Sequence, residues 1–532
     1  MKLFRIYTTI FFLLFANNLF AQRFLTETFT DSDIVVHTNV KFGENYSFLT
    51  VPTGQIEDLL MDVYEPSQSV DTLQQRPVMV FVHTGNFLPP VTNLTPNGSI
   101  HDSSAVEVCK RWARRGFVVL AVEYRLGWNP TSLDAEVRSS SLVLAVLRGV
   151  QDIKTAVRFV RKDVAESGNT YNADPSRFVL FGDGVGGFVV LTAASLDRFE
   201  KILIPKFINQ TTQQSYLDTF ETGNFDGFGG SKNVSNHPGY SSEINMVINT
   251  SGAIADTFWL SPGQVPMLSF HCVRDPFAPY NTNVVIVPTT GEPVVEVSGA
   301  GSFQRIVDQF GNNCAFDTVT FTDPYSLRAQ SLYNQDVAYF DAPFTMNVSS
   351  GSGLFPFIRP LSSTRINNES SPWQFWDSIA VATSHGSLGT YAHTNSKQSN
   401  PDMSKAKALT YIDTIMGFSM PRVYLALNLG NLSEPPNYCY KTLGIGSAAK
   451  NTARIAVYPN PAYGIINIEL KAATAEIQEV SMADLTGKIV LQEMNRSGHI
   501  VAVNTSAVPA GIYFVQVLLN NGEQAIRKIV VE

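Results

Sequence analysis

Two segments of the chain are apolar at almost every position, "PVMVFVHTG" (77–85) and "FVVLAVEYR" (117–125), and they constrain the fold more than any other feature. A strand with one solvated face alternates apolar and polar residues, whereas a strand without alternation is covered on both faces. Between the two, Ala105, Val108, Cys109, Trp112 and Ala113 recur at helical spacing. Strand, helix, strand is the repeating unit of a mainly parallel sheet. "LLMDVYEP" (59–66) precedes this unit as a strand. A long helix over roughly 141–167 leads through a turn at Asp174-Pro175 into the strand "RFVLFG" (177–182). Gly182 to Gly187 then form a tight turn into a helix carrying Val189, Val190, Ala193 and Ala194. "EINMVINTSGAIAD" (243–256) and "VPMLSFHCVRD" (265–275) continue the strand pattern, and a helix at about 403–417 closes the domain. Two polar stretches, about 200–243 and 320–400, read as insertions.

A chain of 532 residues holds one large domain plus a smaller one. Its hydrophobic fraction of 44% and charged fraction of 16% suit a packed globular protein rather than a disordered one. The net charge of −8 comes with no basic tract, which excludes nucleic acid as a partner. Lys2 and Arg5, the apolar run from Ile6 to Phe15 and the small residue Ala21 predict a secretory signal peptide over 1–21, not a transmembrane anchor. No cysteine follows that run, so a lipoprotein is disfavoured. Export makes disulfides possible among Cys109, Cys272, Cys314 and Cys439. Cys109 lies on an apolar helix face and reads as a buried free thiol; Cys314 with Cys439 is the pair to test first.

After the linker-like "GIGSAAKNTAR" (444–454), short alternating strands separated by Gly, Asn and Pro turns predict a small antiparallel β-sandwich. The ordered motifs "VYPNPAYGIINIEL", "MADLTGKIVLQ", "GIYFVQV" and "RKIVVE" resemble the type A sorting domain of the type IX secretion system of Bacteroidetes. The resemblance covers residues 455–532 and implies recognition by that machinery. It further implies passage through the periplasm to the outer cell surface or the medium.

The large domain resembles the carboxylesterase-like branch of the α/β-hydrolase superfamily, over 55–285 and more loosely to about 430. The implied fold class is α/β: an α/β-hydrolase fold, with a mainly parallel sheet and helices on both faces, plus the C-terminal β-sandwich. The implied organisation is a signal peptide at 1–21, a hydrolase-like domain at 22–443, a linker at 444–454 and the sorting domain at 455–532. Active relatives carry His-Gly-Gly-Gly-Phe at the oxyanion strand end, where this chain has "HTGNF", His83 to Phe87. Gly85 and Asn86 there, with Val185 at the start of the following helix, are the candidate oxyanion or ligand-binding residues.

Esterases place Gly-x-Ser-x-Gly at a strained strand-to-helix turn. This chain reads "GDGVGG", and aligning Gly182 and Gly186 with the flanking glycines puts Gly184 at the nucleophile position. Glycine adopts the backbone geometry but has no hydroxyl. Registering Asp183 at the apex instead would put Phe181 and Val185 where glycine is needed. "PMLSFHCVRDPFAPY" places Asp275 at the triad carboxylate, by resemblance to His-Gly-x-x-Asp-x-x-x-Pro. The histidine is sought before the final helix, where His385 is the choice and His393 the other candidate.

Three other patterns compete for attention. Gly182, Gly184 and Gly187 match a dinucleotide fingerprint, but 197–210 supply no strand ending in an acid for the ribose. "ETGNFDGFGGSKN" (221–233) fails the spacing of a calcium loop. Trp373, Phe375 and Trp376 either line a cleft or pack an irregular segment. The reading is an exported carboxylesterase-like protein, with no cofactor and no metal, whose site binds an unidentified small-molecule or polymer ligand without catalysis. The alternative is a secreted ester hydrolase with an unconventional nucleophile or an activated water.

Overall fold

Eight strands form the central sheet in the order β1-β2-β4-β3-β5-β6-β7-β12. They are β1 (Ile34–Tyr46), β2 (Ile56–Pro66), β3 (Arg76–Val82), β4 (Val118–Val122), β5 (Ala173–Asp183), β6 (Met246–Thr250), β7 (Met267–Cys272) and β12 (Leu354–Phe357). β1 and β2 are antiparallel to their neighbours, and every pairing from β4 to β12 is parallel. The computed structural model describes residues 23–49, 54–287, 291–338, 345–359, 369–430, 455–470, 476–484, 489–494, 498–519 and 524–532. The predicted signal peptide and linker lie outside them.

The lack of alternation in β3 and β4 has the expected cause. Val78, Val80 and Val82 of β3 join one core with Val118, Leu120 and Val122 of β4, while Met79, Phe81, Val119 and Ala121 join the other. Helices α2 (Ala135–Glu166) and α3 (Val185–Ser195) cover the first face through residues such as Val150, Ile153, Val157 and Val189. Helix α1 (Ser103–Ala113) and the later helix α7 (Lys405–Ala426) cover the second through Val108, Trp112, Ile412 and Met416. Each face buries large aliphatic and aromatic side chains, worth roughly 1.5–3 kcal/mol apiece when removed from water.

Beyond β7 the chain forms the hairpin β8 (Thr282–Ile286) and β9 (Pro293–Ser298), then helices α4 (Ala300–Gln309) and α5 (Pro324–Leu332). A short ribbon, β10 (Asp336–Ala338) with β11 (Thr345–Asn347), precedes β12. The stretch 320–400, read from sequence as an irregular insertion, therefore contributes the last strand of the main sheet and the helix α6 (Ser378–Ser396). β12 escaped notice because it has four residues and contains Pro356, which an edge strand tolerates because one side of it needs no ladder bond.

The chain divides into two compact units, Met1–Pro436 and Asn437–Glu532. In the second, β13 (Ile455–Tyr458), β14 (Ile465–Leu470) and β17 (Ile500–Asn504) form one antiparallel sheet. β15 (Ile477–Ala483), β16 (Ile489–Met494), β18 (Gly511–Leu519) and β19 (Gln524–Val531) form the other. Ile466, Ile468, Val480, Val515 and Ile529 bury in a common core. Cys109 and Cys272 are free and buried, and Cys314 is disulfide-bonded. Cys439 lies outside the described residues.

Candidate functional site

The turn from β5 into α3 is where the sequence resemblance places the nucleophile elbow. Gly184 sits at its apex with φ 53° and ψ −116°, a region that side chains other than glycine occupy only at a cost of about 1–3 kcal/mol. The flanking glycines are sterically required. A Cβ on Gly182 would lie 2.2 Å from the Gly186 carbonyl oxygen, and one on Gly186 would lie 2.1 Å from that of Val82. The space above Gly184 is filled: a Cβ there would meet Thr84 Oγ1 at 2.3 Å and Thr84 Cβ at 3.1 Å. Thr84 thus occupies the volume that a side chain at position 184 would need.

The neighbouring segment at the end of β3, read from sequence as the candidate oxyanion site, has an unusual backbone. Gly85, Asn86 and Phe87 have φ of 121°, 54° and 55°. Trp128 Nε1–H donates to the Asn86 carbonyl at 2.6 Å, Asn93 Nδ2–H to the Gly85 carbonyl at 3.0 Å, and the Gly127 N–H to the Phe87 carbonyl at 2.8 Å. Beneath it, buried His83 contacts Glu123 Oε2 through Nε2 at 3.1 Å and stacks on Tyr124. Burial opposes the charge on both, yet each stabilises the other: the Glu123 carboxyl is held at about 2 and the His83 imidazole is raised above its ordinary range. His83 is therefore a support of the strand end.

Asp275 lies in the turn after β7, fully buried. Its Oδ1 accepts from the N–H groups of Phe277 and Ala278 at 2.9 and 3.1 Å. Its Oδ2 accepts from the Ser370 hydroxyl at 2.8 Å. Burial pushes this carboxyl up to about 6, against the lowering effect of the two N–H groups and of the Ser370 and Ser251 hydroxyls. Among the described residues, which include all eight histidines, none forms a hydrogen bond from its imidazole to this carboxyl. His385 is exposed on α6. His393, on the same helix, accepts at Nδ1 from Trp376 Nε1–H at 3.0 Å. Ser370, in the loop that follows the last strand of the sheet, is the side chain that contacts Asp275 Oδ2.

Asp183, the residue before the apex, is also buried. Trp373 Nε1–H and the Thr250 hydroxyl donate to its Oδ1 at 2.7 and 3.1 Å, and Gln374 Nε2–H to its Oδ2 at 3.0 Å. Burial raises its carboxyl, and these three donors pull it back down. Its role is to tie the Ser370 loop to the elbow. The aromatic cluster accordingly divides: Trp373 is a buried tie, whereas Trp376 lines the cleft. Sequence reasoning missed Ser370 and the filling role of Thr84, because both are defined by what they replace and carry no motif of their own.

These residues surround a cavity of about 150 Å3 lined by Thr84, Gly85, Asn86, Gly184, Val185 and Ser370 among others. The structure thus brings Gly85, Asn86, Gly184 and Val185 together at one cleft. Asp275 lies beneath its Ser370 wall, and His385 has no part in it.

Residues 61–287 match the BD-FAE family, and residues 456–532 match the secretion system C-terminal sorting domain. The large unit carries an esterase-like α/β-hydrolase domain, and the small one is a type IX sorting domain. The sorting domain indicates interaction with the secretion machinery and export to the cell surface or beyond. No described helix is long and apolar enough to cross a membrane. Solved structures similar to the chain include Thermogutta terrifontis esterase 2 phosphorylated by paraoxon (18% identity over 47% of this chain and 75% of that one, TM-score 0.28). Its butyrate-bound form matches at 19% identity over 42% and 70%, TM-score 0.27. MGS-M1, an α/β hydrolase from a Medee basin deep-sea metagenome library, matches at 12% over 44% and 72%, TM-score 0.24. TM-scores this low carry no functional conclusion. No curated protein matches the chain.

Proposed function

We propose that the hydrolase-like domain is a non-catalytic binding protein at the cell surface or in the medium, delivered by a signal peptide at 1–21 and by the sorting domain. The carrying observation is the joint replacement at the site: Gly184 without a hydroxyl, Thr84 in the space of the missing side chain, and Ser370 on Asp275. Nucleophilic acyl transfer needs an activated side chain and a base to take its proton. Serine, with a hydroxyl far less basic than imidazole, does not serve as that base at neutral pH. The cleft and its oxyanion segment persist, so a ligand retains a place to bind. The test is turnover of short-chain 4-nitrophenyl esters by the full secreted chain. A rate equal to that of an inert control protein is expected, and robust turnover removes the reading.

A second reading is favoured by Ser251, which lines the cleft with φ 55° at the end of β6, its hydroxyl beside the Asp275 carboxyl. In that case Ser251 is an unconventional nucleophile and Asp275 its base. Ester turnover abolished by Ser251→Ala distinguishes it.

A further inference from the structure

Helix α6 is fastened lightly to its domain. Of its 19 residues, Ser378–Ser396, only Gly389 and Ala392 are buried. Ile379, Leu388 and Tyr391 are each more than half exposed. The helix folds back at Gly386 (φ 58°, ψ −132°), so that a Cβ on Gly389 would lie 2.2 Å from the Val381 carbonyl oxygen. Its two halves thus pack on each other. Between its terminal caps, and among the described residues, two side-chain hydrogen bonds join it to other segments. Asn395 Nδ2–H donates to the Leu94 carbonyl at 3.2 Å, and His393 Nδ1 accepts from Trp376 Nε1–H at 3.0 Å.

The second bond fixes the charge of its histidine. An indole nitrogen only donates, so Nδ1 presents a lone pair, and an imidazole protonated on both nitrogens has none to present. His393 is therefore neutral whenever this bond exists. Burial and the Lys397 ammonium, one turn further along, both hold it below its ordinary value of 6.5. The carboxylates of the adjoining segments are engaged elsewhere. Glu369 accepts from Lys407 Nζ and the Tyr411 hydroxyl, Asp377 caps Ile379 and Ala380, and Asp402 pairs with Arg359. The segment 85–98, which Asn395 reaches, has no titratable side chain, and α6 itself adds only His385 and Tyr391, both exposed. Both partners of the bond belong to the cleft wall: Trp376 lines the cleft, and so do Asn395 and Ser396 just past His393.

We propose that the Trp376–His393 bond is a pH-sensitive latch on the cleft wall: a proton on His393 Nδ1 removes the acceptor, releases the indole and lets α6 swing away from the cleft. The sign follows from the bond. The latched state holds no proton at Nδ1 and the open state takes one, so opening grows as pH falls below the ordinary histidine value of 6.5. The inference concerns access to the cleft, and it holds whether the bound ligand is cleaved or only held.

The test is 19F NMR of the full chain labelled with 5-fluorotryptophan. Its five tryptophans give five resonances, and the one missing from Trp376→Phe reports the latch. That resonance is expected to titrate with a single proton between pH 8 and pH 5. His393→Asn offers an amide oxygen in place of Nδ1, an acceptor that takes no proton in this range, and is expected to hold the resonance at its pH 8 position throughout. Amide exchange in a peptide spanning 381–396, corrected for its intrinsic pH dependence, is expected to be about fivefold faster at pH 5 than at pH 8, the factor that one lost hydrogen bond supplies. In His393→Asn the two corrected rates should be equal. Should either variant not fold, exchange of α6 in the unaltered chain decides alone. A Trp376 resonance that does not move, a titration that survives in His393→Asn, or exchange in α6 that does not quicken in acid overturns the latch.

Discussion

The Thr84 side chain fills the space that a side chain on Gly184 would need: a Cβ on Gly184 would stand 2.3 Å from Thr84 Oγ1. The two departures from the esterase pattern are one steric event. Restoring the serine alone therefore does not restore a site. Gly184→Ser is expected to lose about 1–3 kcal/mol for the backbone region alone, more because Thr84 must move, and to gain no esterase activity. Thr84→Gly with Gly184→Ser should recover part of that stability by denaturant unfolding. Only the further change Ser370→His supplies a base beside Asp275, and acyl transfer is expected in that triple variant alone.

Asp275 is a stability liability in this fold. Its folded carboxyl titrates near 6 against an ordinary value of 3.8, so the native state holds a proton that the unfolded chain has released. Stability on this account is greatest below about pH 4 and declines as pH rises through 6. At pH 7 the ionised group costs about 3 kcal/mol by that shift. Asp275→Asn keeps an acceptor for the Phe277 and Ala278 N–H groups and removes the charge. It is expected to stabilise the domain by about 1–3 kcal/mol at pH 7, with the gain shrinking towards zero near pH 4. Unfolding midpoints at the two pH values check it.

Trp373→Phe removes the indole donor to Asp183 while keeping the aromatic bulk. A buried acceptor that loses one of its three side-chain donors is expected to cost about 1–3 kcal/mol. Because the same loop carries Ser370, the Ser370–Asp275 contact should loosen too. Hydrogen exchange in the peptide spanning 369–377 reads this directly, with faster exchange expected in the variant.

Deletion of 455–532 is expected to stop export at the periplasm of a host with the type IX machinery, since that segment carries the sorting motifs. The test is fractionation of the truncated protein; its normal appearance on the cell surface contradicts the assignment.

The central strands and the elbow were legible because they obey simple rules. Buried parallel strands lose alternation, as β3 and β4 do, and a strand-to-helix turn with crowded backbone demands glycine, as at Gly182 and Gly186. The site's second half was not legible. Ser370 is the side-chain hydroxyl that contacts Asp275, and no residue pattern in "ESSPW" announces that a serine there reaches a carboxylate 95 residues earlier. A search for the histidine instead led to His385, which tertiary structure leaves on the exposed side of α6. That helix was itself hidden, since "SIAVATSHGSLGTYAHTNS" lacks apolar periodicity and is interrupted by Gly386 at φ 58°. Its one local signal is Asp377, whose carboxylate caps the N–H groups of Ile379 and Ala380 at 2.8 and 3.1 Å.

The central claim is that the elbow holds no nucleophile. Incubating the full secreted chain with a fluorophosphonate, followed by intact-mass measurement and peptide mapping, tests it most directly. Such reagents bond covalently to an activated serine hydroxyl and spare ordinary surface hydroxyls. The account predicts an unchanged mass for the unaltered chain and a single adduct on residue 184 in the variant combining Thr84→Gly, Gly184→Ser and Ser370→His. A stoichiometric adduct on the unaltered chain, at Ser251 or at any other single residue of the cleft, contradicts it.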